Sequence, residues 1–127
     1  MFRLAKSWRG LSHCAVWLPL FVYSSPHLSV YFRNYYTEYQ VVKECAARAK
    51  LPPEDAASAR AALEKIEAYY LHRDSTINKA DVRAQAIKNK TAAFKMLDQT
   101  DKVDPREFCL GSLHDLLGES RRIVPAT

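Results

Sequence analysis

No aspartate or glutamate occurs before Glu38, although Arg3, Lys6, Arg9 and Arg33 all fall in that stretch. Glycine is scarce, three residues in 127, while 48% of the chain is hydrophobic, which excludes a flexible, low-complexity tail protein. The three cysteines, Cys14, Cys45 and Cys109, are odd in number, far apart and without a Cys-x-x-Cys pair. That pattern argues against both a disulfide framework and a zinc site. The apolar run from Cys14 to Tyr23 is ten residues broken by Pro19, far below the roughly 20 residues of a membrane span. There is no glycine-rich phosphate loop, no His-Glu-x-x-His, and no acid pair that spacing places in one pocket. His13, His27, His72 and His114 fall in different segments, and a cysteine with a distant histidine reads better as an idle thiol. The expectation is a non-enzymatic chain with no metal and no cofactor of its own.

What is present is unevenly placed. Residues 1–50 carry seven Lys/Arg against two Asp/Glu, whereas residues 51–127 carry twelve of each, so the whole formal charge of +5 lies in the first fifty residues. Such a gradient favours an acidic partner, or nucleic acid, near the N-terminal part. At helical spacing Arg3, Lys6, Arg9 and His13 share one arc and Leu4, Ala5, Trp8 and Leu11 the opposite one. An acid-free, Arg-rich amphipathic helix is what mitochondrial import selects. Two readings compete with it: an ordinary basic surface helix, and a secretory signal cleaved near Ser25, which would go with oxidised cysteines. If residues 1–27 are kept, they form a docking arm in which Arg3, Lys6 and Arg9 meet an acidic partner or lipid headgroups, with Trp8, Trp17 and Phe21 beside them.

From Leu28 onward the periodicity is helical. Leu28, Tyr31/Phe32, Tyr35, Tyr39, Val42, Ala46 and Ala49 recur at three- or four-residue spacing, a first helix of about six turns that Leu51-Pro52-Pro53 ends. Pro53 suits the first turn of a second helix, with Glu54 and Asp55 at its positive end and Ala59, Leu63, Ile66 and Tyr70 as its stripe. Asp74 to Asn78 reads as a short turn rich in capping side chains. The third helix, about Lys79 to Leu97, shows Ala80, Ala84, Ile87, Thr91 and Phe94 on one face, with Arg83 and Lys90 bordering one side and Lys88 and Lys95 the other. Either this is a greasy groove fringed with charge for an acidic partner, or the basic stems lie along the core edge and reach water. Asp104-Pro105-Arg106-Glu107 signals a fourth helix with a capping box, an apolar face of Phe108, Leu113, Leu116 and Leu117, and Gly118 as its C-cap. The aromatics Tyr31, Phe32, Tyr35, Tyr36 and Tyr39 read as core positions rather than as a base-stacking platform.

Three helices in this order, with Tyr31-Phe32-Arg33 near the start of the first, resemble the mitochondrial LYR family of small helical proteins. The segment Ile66-Glu67-Ala68-Tyr69-Tyr70-Leu71-His72-Arg73 is similar to the family's second-helix signature, and Phe94-Lys95-Met96-Leu97 to the close of its third. The likeness spans about residues 28–98. Phe32 intervenes where a literal Leu-Tyr-Arg would have Arg directly after Tyr31, and Tyr69-Tyr70 stands where the family has Phe-Arg. The resemblance implies an adaptor for acyl carrier protein and its acyl-phosphopantetheine. The acidic carrier would meet Arg33, Lys43, Arg73, Arg83, Lys88, Lys90 and Lys95; the acyl chain would lie among Tyr31, Tyr35, Ile66, Tyr70 and Phe94.

These readings combine into an all-α expectation: a small antiparallel three-helix bundle over residues 28–98, preceded by the basic segment 1–27 and followed by a short fourth helix and tail over 99–127. The implied role is that of a non-catalytic accessory subunit or assembly factor of a mitochondrial inner-membrane complex, respiratory chain or ATP synthase, on the matrix side. The alternative is a mitochondrial ribosomal or ribosome-assembly protein, with RNA contacts through Arg3, Lys6, Arg9 and the tail.

Overall fold

A computed structural model describes residues 26–123, and among them the chain forms four helices and no strand. They are α1 (Pro26–Ala47), α2 (Pro53–Arg73), α3 (Lys79–Asp98) and α4 (Pro105–Arg122). The expected docking arm, with Arg3, Lys6, Trp8, Arg9 and Trp17, lies outside the described residues, as does the end of the tail.

Helix α1 is the axis of the bundle. It packs against each of the other three, α2 and α4 pack against one another, and α3 rests chiefly on α1. Phe32 and Tyr35 stack on Tyr70, so the start of α1 lies beside the end of α2. Cys45 near the end of α1 is bonded to Cys109 near the start of α4. Arg48 reaches Asp98 at 3.1 Å, which sets the end of α1 beside the end of α3. Phe32, Val42, Cys45, Ile66, Cys109 and Leu116 are the largest fully buried side chains and fill the space between α1, α2 and α4.

The fourth helix therefore belongs to the core. It supplies Cys109, Leu113 and Leu116, and Ile123 closes the packing behind it. Gly118 does not end it: α4 continues to Arg122, held by Glu119, which is 6% exposed and bonds both back to Arg122 and across to α2. At its start Asp104 accepts from the Arg106 backbone N–H at 3.0 Å, a simple cap in place of the expected reciprocal box with Glu107.

Helix α1 also stops before the proline pair. Its backbone turns at Ala49, with φ of 60°, where the Lys50 N–H bonds to the Cys45 carbonyl and the Ala49 N–H to that of Ala46. This is the left-handed closure that helices usually give to glycine. Leu51, 4% exposed, is then drawn into the core.

The face of α3 differs most from expectation. Val82, Ala86, Phe94 and Leu97 are buried, whereas Ala80, Ala84 and Thr91 are exposed and Ile87 is 39% exposed. Two polar residues explain the rotation. Asn89 donates to Thr37 Oγ1 at 3.4 Å and Lys90 reaches Glu44 at 3.5 Å, so polar contacts occupy the middle of the α1–α3 interface and interrupt the apolar periodicity.

Candidate functional site

The basic residues expected to share one partner surface are divided among separate places. Lys43 of α1 and Arg83 of α3 meet in a cleft of about 330 Å³ between α1, α2 and α3. Lys90 and Lys95 line a hollow of about 480 Å³ toward the far end of α3, where Arg48 pairs with Glu44 and Asp98 and lies 4.3 Å from the centre of the Phe94 ring. Arg73 caps a third hollow with its guanidinium 4.6 Å from the Tyr69 ring centre. Lys88 is exposed on α3. Arg33 is half-buried, and its Nε is buried without a hydrogen-bond partner.

The expected acyl-chain residues divide in the same way. Tyr31, Tyr35 and Tyr70 line a hollow of about 290 Å³ with Leu28 and Tyr69, open to solvent beside Arg73 and Arg122. Ile66 is fully buried in the core, and Phe94 packs edge-on against Phe108 at a ring separation of 5.8 Å, near the opposite end. One chamber does not unite the five, because stacked aromatic rings and the Cys45–Cys109 bridge fill the centre where such a chamber would lie.

Beneath the tyrosine hollow sits a closed polar network. The Tyr70 hydroxyl donates to Glu119 Oε2 at 3.0 Å, Arg122 donates to both carboxylate oxygens at 2.7 Å, and burial, then the nearby Glu119 charge, raises the Tyr35 phenol. The Arg122 hydrogen bonds, followed by that from Tyr70, outweigh burial and hold the Glu119 carboxyl below its usual range. Burial, then the hydrogen bond to Glu119, raises the Tyr70 phenol. A carboxylate with its oxygens engaged by three N–H and O–H donors is a poor base, and the network holds α2 to α4.

On the other side of Tyr35, Glu38 of α1 meets Asp115 of α4. Burial first, then the hydrogen bond and charge of Asp115, push the Glu38 carboxyl from 4.5 up to about 9. Tyr31, Asn34 and Tyr35 share the hollow with this pair. With its carboxyl held protonated at neutral pH, Glu38 stands beside Asp115 without adding a second negative charge.

The disulfide is the feature that the cysteine pattern argued against. Cys45 and Cys109 stand 64 residues apart, and only the approach of α1 to α4 brings their Cα atoms to 6.1 Å. Their burial supplied the one available signal, since both fall on the apolar faces of their helices. Among the described residues no group of His, Cys, Asp and Glu could hold a metal ion, and no helix is long and apolar enough to cross a membrane. No family model matches the chain, and no curated protein or solved structure is significantly similar to it.

Proposed function

We propose that the chain is a non-catalytic helical binding protein that works in an oxidising compartment. The Cys45–Cys109 disulfide carries this reading. Both cysteines are buried, at 0% and 1% exposure, and such a bond persists where glutathione and thioredoxin do not keep thiols reduced. In this reading α1, set antiparallel to α2 and α4, is the clamped framework, and α3 together with the clefts beside it is the recognition surface. Secretion ranks first, because it alone among the readings of the sequence called for oxidised cysteines; the apolar run Cys14 to Tyr23 then has a role in export.

A mitochondrial accessory subunit or assembly factor stands second, supported by the acid-free opening. The disulfide favours the outer, oxidising side of the inner membrane over the matrix. An acyl carrier protein partner is weakened with it, since the proposed chain-binding residues do not share a chamber. The ribosomal reading fares likewise in a reducing matrix.

Cell fractionation with sequencing of the mature N-terminus separates these. A start just after Ser25 in the exported fraction supports secretion, and a membrane-enclosed mitochondrial pool supports the second reading. Recovery in a reducing cytosol or matrix contradicts the proposal.

A further inference from the structure

Helices α2 and α3 both pack on α1 and make no substantial contact with each other, which leaves the cleft between them floored by Tyr36, Tyr39 and Gln40. Four cations line it, Lys43, Arg60, Lys79 and Arg83, against two carboxylates, Glu64 and Glu67. Lys79 is taken by Glu67 at 2.9 Å, and Arg60 faces Glu64 at 3.6 Å. Among the described residues Lys43 and Arg83 have no carboxylate partner; Lys43 instead sits 5.8 Å from the Tyr39 ring centre. Arg83 is also near enough to Lys79 for the two charges to oppose one another. Among the described residues the cleft thus keeps two exposed positive charges without a carboxylate partner, which a bound anion would complement.

Gln40 is the second, independent sign. Its side chain lines the floor of the cleft, the residue is only 7% exposed, and among the described residues its amide makes no hydrogen bond. With the residue buried and its amide unpartnered at the open cleft, both polar atoms of that amide are available to a group that enters the site. Its N–H₂ can donate to an oxygen of a ligand in the cleft that Lys43 and Arg83 line.

We propose that the α1–α2–α3 cleft binds a phosphate monoester, with the dianion between Lys43 and Arg83 and one of its oxygens accepting from the Gln40 amide. The charge favours this group over a carboxylate: a monoester carries nearly two negative charges and three terminal oxygens, which suits donors arriving from α1 and α3. A volume of about 330 Å³, with Tyr39 and Leu63 in the lining, leaves room for a ring or short apolar ester beside the phosphate. The site is independent of the compartment in which the protein works.

Isothermal titration of the full, oxidised chain with phenyl phosphate, using benzoate for comparison, tests the proposal. Phenyl phosphate should bind at least tenfold more tightly than benzoate and lose affinity as salt is added. Lys43→Ala and Arg83→Ala should each weaken it several-fold, with helical content checked by circular dichroism, while Lys102→Ala, in the exposed α3–α4 connection, should leave it unchanged. Gln40→Leu should retain the fold and lose affinity. Vesicles containing phosphatidate, against phosphatidylcholine alone, distinguish a lipid source from a soluble ester; binding to either source supports the site. No binding of either probe, equal affinity for benzoate, or unchanged affinity in the Lys43→Ala/Arg83→Ala double variant overturns it.

Discussion

Cys45, in the last turn of α1, is bonded to Cys109, one turn into α4, at a sequence separation of 64. The bond closes a loop that contains all of α2 and α3, so it joins the two ends of the described domain's helical order. Everything that α1 organises is thereby constrained in the unfolded chain as well as the folded one.

Removing the bridge should be costly. For a loop of this length the chain-entropy estimate is about 4 kcal/mol. Denaturant unfolding of the oxidised protein, the reduced protein and the Cys45→Ala/Cys109→Ala variant measures it. The expected result is a large loss for both modified forms, with retained helix under native conditions.

The Tyr70–Glu119–Arg122 network predicts graded losses. Tyr70→Phe removes one of three donors and should cost about 1 kcal/mol, whereas Glu119→Ala leaves Tyr70 and Arg122 without their acceptor and should cost about 2–3 kcal/mol. Because the Glu119 carboxyl is held low in the fold, its contribution is present above the usual carboxylate range and fades as pH falls through the folded value. Unfolding free energy measured between pH 3 and pH 7 checks both points.

Glu38 should act in the opposite sense. Its folded value, pushed up to about 9 chiefly by burial and then by Asp115, means that the fold holds a proton which the unfolded chain releases above 4.5. Its contribution is complete below 4.5 and declines as pH rises toward 9. Glu38→Gln should therefore stabilise the protein at pH 8 and leave it nearly unchanged at pH 4, as read from denaturant midpoints at the two values.

Ala49 carries a backbone conformation that costs an L-residue about 1–2 kcal/mol. Ala49→Gly should return about 1 kcal/mol by relieving it, and Ala49→Val should destabilise by more than Ala49→Gly stabilises. Thermal unfolding of the three proteins provides the comparison.

The helices were readable because their signals are local. Pro53 with Glu54 and Asp55, Asn78 before Lys79, and Asp104-Pro105 mark starts that the structure keeps. Ala59, Leu63, Ile66 and Tyr70 are the buried stripe of α2, as their spacing implies. Most of the failures involve information carried between helices. The face of α3 was misjudged because Asn89 and Lys90 spend their polarity on Thr37 and Glu44. Gly118 looked like an end because nothing in its neighbourhood announces that Glu119 is buried against Tyr70. Cys45 and Cys109 looked idle because their pairing depends on the α1–α4 approach, and the basic residues looked like one surface because a helical wheel cannot show that packing on α1 sends Lys43 and Arg83 to one hollow and Lys90 and Lys95 to another. Gln40, which lies between Tyr39 and Val41, gave no sign of its place on a cleft floor.

The central claim is that this domain lives with its disulfide formed. It is tested most directly by blocking free thiols with a membrane-permeant alkylating agent in intact cells, before lysis, and identifying the peptides of the protein by mass spectrometry. The account predicts that the peptides containing Cys45 and Cys109 are recovered joined and unalkylated. Recovery of both cysteines in the alkylated, unlinked form would contradict it.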